Sequence, residues 1–320
     1  MTRLILHIGA SKTGTTTLQQ CLLNSYDVLL EHGVLYPKPV HGNKHCELTP
    51  HLLSAEEAPN WLRAKSMDDA TRIKRKGRQA WDNVLQQIAQ HKTDTIIISS
   101  EHLFNFATSH NFRHALSQFQ SIADDITIVA YVRAPSGRFL SNRQEGLKAG
   151  RRGIPPDHYA RHHHPLHRLL DRDDLRLDVH NFERAALIGN DIVTDFASRH
   201  LPSGVMNALD RPERDLNTSI SAEAMLIIET ILDGQAPSQY RHIGSMHGAL
   251  MKHIILEDRG LAGKNPPKFK PGIARIVHDA TPDLDWLKER FGITFQRPTS
   301  DVATKDILPQ DLVSVADLCE

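Results

Sequence analysis

Cysteine is scarce in this chain, and so is any excess of charge of one sign. The three cysteines, Cys21, Cys46 and Cys319, are odd in number and far apart, which excludes a disulfide framework and the paired spacing of a thiolate metal site and fits a reducing compartment. Lys plus Arg and Asp plus Glu balance at 38 each. No global field therefore draws the chain to nucleic acid or to an anionic membrane surface, and any anion site must be local. No apolar run approaches the roughly 20 residues of a membrane span. Met1-Thr2-Arg3 leads directly into the first apolar segment, which leaves no room for a signal peptide and points to the cytoplasm. Internal repeats are missing as well. The 320 residues suit one α/β domain with a sizeable core, and the expectation is a single domain over residues 1–320 with a peripheral tail over about 298–320.

What is present is concentrated near the start. Leu4, Ile5, Leu6 and Ile8 read as a short strand buried on both faces, as in a parallel sheet. A loop from Gly9 to Gly14 follows and opens through Thr15-Thr16-Thr17 into the helical spacing Leu18, Cys21, Leu22. Strand, glycine loop and helix together form an anion cradle: loop and first-turn N–H groups point inward, the helix dipole favours negative charge, and Lys12 adds a full positive one. Gly9 and Gly14 have the separation of a Walker A loop, but Thr15 stands where its lysine belongs and Lys12 lies inside the loop. That displacement weakens an ATPase or kinase reading.

Helical spacing continues to Leu30 with a break near Ser25, Gly33 terminates it, and Val34-Leu35-Tyr36 reads as a second short strand. A long connection carrying His41, His45 and His51 follows, with a short helix around residues 47–54. Ser66-x-x-Asp69 resembles a capping box for a helix over about 67–91, whose basic run Arg72, Lys74, Arg75, Lys76 and Arg78 reads as a solvated face. Thr95–Ser99 is a β-branched core strand ending in Ser100-Glu101-His102, and strand ends on this side of an open α/β sheet form the ligand mouth. After a helix around 111–123, the strand Ile126–Val132 ends at Arg133, and Pro135 opens a helix that carries Ser141. Arg133 and Ser141, eight residues apart, can converge on a second phosphate, the arginine by a bidentate charged contact and the serine by its hydroxyl.

These two motifs, in this order, resemble those of the PAPS-dependent sulfotransferases, the bacterial members above all. The likeness extends loosely over residues 1 to about 200, where Leu175–Phe182 and a helix through Ile192 and Phe196 look like the family's later strand and helix. It implies a P-loop-containing nucleotide-binding fold, a central parallel sheet flanked by helices. It also implies in-line transfer of a sulfuryl group from 3′-phosphoadenosine 5′-phosphosulfate (PAPS) to a hydroxyl or amine on a small-molecule, glycan or lipid acceptor, with no metal required. Ser11, Lys12, Thr13, Gly14, Thr15, Thr16 and Thr17 would surround the 5′-phosphosulfate, Arg133 and Ser141 would hold the 3′-phosphate, and Lys12 would stabilise the leaving oxygen. For the general base the resemblance and the strand-end position rank Glu101 first, His45 second and His102 third.

The departures are specific. The late Arg-Lys-Gly motif of animal cytosolic members is missing, with only loose candidates at Arg241–Gly244 and Gly263-Lys264, so a third phosphate anchor is unassigned. His162-His163-His164 and His167 are close together but lack the spacing of a familiar metal site. Asn217–Ser221 reads as a helix entry, 224–232 and 285–291 as helices, and Pro266–Pro271 as a linker or lid. A nucleoside-triphosphate-dependent kinase and a non-catalytic nucleotide-binding protein stay open as alternatives, and the sequence sets no oligomeric state.

Overall fold

In this computed structural model the described residues are 1–9, 12–148, 150, 164–170, 172–212, 219–233, 247–261, 267–270, 272–299, 315 and 319. Five strands form one sheet: β1 (Arg3–His7), β2 (Val34–Leu35), β3 (Thr95–Ser99), β4 (Asp125–Val132) and β5 (Arg176–Asn181). Every pairing is parallel and the order is β2-β3-β1-β4-β5. The helices of the first half are α1 (Thr15–Asn24), α2 (Tyr26–Glu31), α3 (Thr49–Leu52), α4 (Asn60–Lys65), α5 (Ala70–Gln90), α6 (Phe112–Gln120) and α7 (Pro135–Lys148). Those of the second half are α8 (His164–Leu170), α9 (Ile192–His200), α10 (Val205–Ala208), α11 (Ala222–Leu232), α12 (His247–Gly260), α13 (Ile273–Asp279) and α14 (Leu284–Phe291). The fold class is therefore α/β, a parallel sheet flanked by helices. Among the described residues no helix is long and apolar enough to cross a membrane.

The chain divides into two compact units, one of Met1–Arg133 with His163–Asn217 and one of Ala134–His162 with Thr218–Glu320. The first holds the whole sheet. Because parallel strands are linked by crossover helices, both sheet faces are covered and both must be apolar. On one face Ile5, Ile97, Val129 and Tyr131 pack with Leu18, Cys21 and Leu22 of α1, Leu29 of α2 and Ile192, Val193 and Phe196 of α9. Leu4, Leu6, Ile96, Ile98 and Ile128 alternate with these and are equally buried. Helices α5 and α6 bury Trp81 and Phe119, whose rings meet at 6.2 Å.

The second unit has its own core. Phe139 and Leu147 of α7, Met225 and Ile228 of α11, and Ile273 and Val277 of α13 form one cluster with Val315 and Cys319. Where a peripheral tail is expected, these last two side chains are buried, and Cys319 forms an antiparallel bridge with Phe269 from the segment read as a linker or lid. The buried Arg143 guanidinium donates to Glu229, whose other oxygen accepts the Val315 N–H at 2.7 Å.

Elements depart from expectation mainly at their ends. Helix α5 begins at Ala70 rather than near 67, because Asp69 is its cap: one carboxylate oxygen accepts the N–H groups of Thr71 at 2.8 Å and Arg72 at 3.1 Å. Ser66 takes no part in that cap. Ser25 separates α1 from α2 where the break is expected, and the short helix near 47–54 resolves into a 3-10 turn, His45–Leu48, followed by α3.

Candidate active site

Central strand β1 is flanked by β3 and β4, so the loop after it opens between the carboxyl ends of two neighbours, the usual ligand position in such sheets. Two glycines shape that loop. A Cβ on Gly9 would stand 2.8 Å from Thr15 Cγ2 and 2.9 Å from His7 Nε2, so only glycine lets the chain pass. Gly14 precedes α1 with φ 71°, and a Cβ there would meet Phe182 at 2.9 Å. The N-cap of α1 is Gly14, which has no side chain to occupy the N–H groups of the first turn, the end of a helix that suits an anion. Lys12 itself adopts φ 70°, a left-handed conformation that costs a non-glycine residue about 1–3 kcal/mol and persists only where surroundings enforce it. One enforcing contact is clear: the Arg133 guanidinium, at the end of β4, donates to the Lys12 carbonyl at 3.2 Å. Burial draws the Arg133 pKa down, yet a guanidinium stays charged at any ordinary pH.

The remaining loop residues fall into different surroundings. Thr13 is buried, Gly14, Thr16 and Thr17 are half-buried, and Ser11 lies outside the described residues. Thr15, at the position of the Walker lysine, turns its hydroxyl to Glu101 Oε2 at 2.9 Å. Glu101 Oε1 is 2.9 Å from Lys44 Nζ. Burial pushes the Glu101 carboxyl up, but the Lys44 ammonium, the Thr15 hydroxyl and His102 outweigh it and hold the pKa below the usual carboxylate value. Beside it in the same 3-10 turn, His102 has its pKa lowered by burial against the opposing pull of Glu101.

His45 is placed otherwise than a base requires. Its Nδ1 accepts the Ser99 N–H at 3.0 Å, its Nε2–H donates to the Pro37 carbonyl at 2.7 Å, and the ring stands edge-on to Tyr36. Both nitrogens are committed to backbone, and burial takes the pKa down to about 4. Such a ring pins the loop after β2 to the end of β3. Ser141 lies on α7, half-buried. It belongs to the second unit and Arg133 to the first, so their spacing of eight stays a property of the sequence. His162 and His163 lie outside the described residues.

Sequence reasoning missed the layer beneath the loop. His7 pairs in register with Ser99, and its Nδ1 is 2.8 Å from the Ser99 hydroxyl, which also accepts from Gln19 Nε2 at 3.1 Å. His7 is fully buried and burial lowers its pKa to about 3, so it supports the cradle as a neutral ring. A polar residue closing β1 two positions before Gly9 was the available signal. Lys44 was missed because the histidines drew the reading of its loop; a lysine one residue from His45 was the cue there.

Neither a scan of family models nor a search among curated proteins returned a match to the chain. Among solved structures, the crystal structure of a sulfotransferase from Alicyclobacillus acidocaldarius is similar over 80% of this chain and 98% of that chain, with 13% sequence identity and a TM-score of 0.37.

Proposed function

We propose that the chain is a P-loop-type sulfotransferase that takes a sulfuryl group from PAPS and delivers it to a hydroxyl or amine acceptor. One observation carries the reading: the hydrogen bond from Arg133 at the end of β4 to the backbone of Lys12 in the loop after β1. It builds two cationic elements at adjacent strand ends into one structure, and PAPS presents two anionic ends on one adenosine. A single-phosphate loop has no need of the second. In this reading residues Ser11 to Thr17 surround the 5′-phosphosulfate, and Arg133 takes the 3′-phosphate, with Ser141 assigned there by the resemblance. Thr15 acts through its backbone N–H, since its hydroxyl is turned to Glu101.

The acceptor oxygen or nitrogen forms the new bond to sulfur while the bond from sulfur to the bridging oxygen breaks. The electron pair leaves with adenosine 3′,5′-bisphosphate. Negative charge grows on that bridging oxygen, where Lys12 and the N–H groups opening α1 stabilise it; one such donor is worth about 2.7–4 kcal/mol in comparable sites. The acceptor proton passes to Glu101. A carboxylate of lowered pKa is a weak base, but a loose displacement of the kind seen in phosphoryl transfer releases that proton late and asks mainly for a well-placed acceptor. His45 is given the task of holding the strand end rather than that of base.

Calorimetric titration with adenosine 3′,5′-bisphosphate in the presence of a chelator tests the donor site. Binding should occur without Mg²⁺ and weaken at least tenfold in Arg133→Ala. Lys12→Ala should keep most of the bisphosphate affinity while losing about 10²–10³ in transfer from labelled PAPS. Binding only of ATP, and only with Mg²⁺, would overturn the reading in favour of a nucleoside-triphosphate enzyme.

A further inference from the structure

A second cluster lies in the first unit, on the sheet face covered by α9. Asp178 and His180 are two apart on edge strand β5 and so share a face, and His200 reaches them from the last turn of α9. His180 Nε2 is 3.2 Å from Asp178 Oδ1, and His200 Nε2 is 3.8 Å from Asp178 Oδ2. The first is an ion-pair contact without hydrogen-bond geometry, and the second is too long for a hydrogen bond. Both Nε2 atoms are buried without a hydrogen-bond partner, and the His200 side chain is only 2% exposed. Buried imidazole nitrogens are normally satisfied. Two left open toward one carboxylate call for something between them.

We propose that Asp178, His180 and His200 form a site for a divalent transition-metal ion, with zinc as the best match. All three donor atoms lie within 4.8 Å of one another. A tetrahedral zinc with bonds of about 2.0–2.1 Å sets neighbouring ligand atoms roughly 3.3–3.4 Å apart, so the three donors, within 4.8 Å of one another and with contacts of 3.2 and 3.8 Å to the two different oxygens of Asp178, draw together by up to roughly 1.5 Å around the ion. The donor set, two imidazoles and a carboxylate, suits zinc and excludes calcium and magnesium, which take oxygen ligands. Tyr131 leans on the His180 ring at 5.3 Å and Phe196 on the His200 ring at 5.1 Å, giving the dry wall that holds ligand rings in place. The Asp178 side chain is 40% exposed, which leaves the outer side of the site open to a fourth ligand from solvent. Arg3 and Arg199 oppose a cation there, but Arg199 is held 3.0 Å from Asp195. The ion would clamp the end of α9 to the sheet edge, one ring layer from the loop: Tyr131 and Phe196, which pack on these histidines, also meet the His7 ring at 5.9 and 5.7 Å.

The test uses full-length protein without a histidine tag, titrated with Co²⁺ and then Zn²⁺. One equivalent of Co²⁺ should give the intense visible absorption of a tetrahedral site, Zn²⁺ should bleach it, and bound Zn²⁺ should raise the melting temperature. Loss of a direct ligand in His200→Ala or His180→Ala should weaken binding by more than the roughly 100-fold that loss of a supporting partner costs. Asp178→Asn, at a half-exposed position, gives the same readout if the histidine variants misfold. A triple His162→Ala, His163→Ala, His164→Ala protein should keep the signal. Silence of the wild-type spectrum with an unchanged melting temperature at saturating Zn²⁺ would overturn the proposal, as would full binding in Asp178→Asn or its loss in the triple variant.

Discussion

His45 shows how a residue's surroundings decide its chemistry. An imidazole in a long loop beside a strand end has the right composition for a base, but the Ser99 N–H and the Pro37 carbonyl occupy its two nitrogens and fix it as the neutral tautomer. Its pKa falls from 6.5 in the unfolded chain to about 4 in the native one. Between those values the unfolded state binds more protons than the folded state, so stability rises with pH through that window and is lost as pH falls through it. At about 1.4 kcal/mol for each pH unit, His45 alone withdraws roughly 3 kcal/mol by pH 4. Buried His7, lowered to about 3, acts in the same direction. Urea unfolding from pH 7.5 to 4.5 should therefore show stability dropping below pH 6.5. His45→Asn, which keeps an acceptor for Ser99 but cannot be protonated, should have lower stability at pH 7 and a shallower slope. An unchanged slope would mean that the ring is not held neutral.

At the scale of elements, sequence patterns revealed what local physics determines. The three apolar strands β1, β3 and β4 stand out because both of their faces are buried, and Pro135 and Gly292 mark helix ends through constraints of their own. Helix α4 was not legible: its six residues, Asn60–Lys65, contribute little beyond Leu62 to the core. The capping assignment failed by three residues because Ser66 and Asp69 are both good caps, and only the fold decides between them. Of the site, the loop and Arg133 could be read along the chain. The layer of His7, Ser99, Gln19 and Lys44 left only residue-type cues, since its assembly depends on strand register and on a loop crossing from β2. Close packing by Phe182 and Ile192 makes the loop sensitive to single atoms as well. Gly14→Ala must place alanine at φ 71° and its Cβ 2.9 Å from Phe182 Cε2 and 3.2 Å from Ile192 Cγ2. The backbone part alone should cost at least about 1–2 kcal/mol. Gly14→Ala combined with Phe182→Leu should regain the steric share and leave the backbone share, as measured by chemical denaturation. Full recovery in the double variant would show that the left-handed conformation is not needed.

Over the whole molecule, the chain leaves the sheet unit after β4 and again after α10, so each unit is assembled from segments distant in sequence. Neither phosphate motif reveals those crossings. The second unit buries a charged pair beside its apolar cluster. The Arg143 and Glu229 side chains are 1% and 9% exposed, and Glu229 also accepts the Val315 N–H. An ion pair so placed contributes little net stability over an apolar pair, but removal of one partner strands the other charge and costs about 3–5 kcal/mol. Glu229→Ala should incur that cost and release Val315 as well, whereas a joint Arg143→Met, Glu229→Leu variant should recover most of it. The units have separate cores, and opening by cooperative regions should confine the damage. In hydrogen exchange read by mass spectrometry, peptides from α7, α11 and α13 should lose protection in Glu229→Ala while those from β1, β3 and β4 keep theirs. Equal loss across the sheet strands would instead mean that the two cores unfold as one.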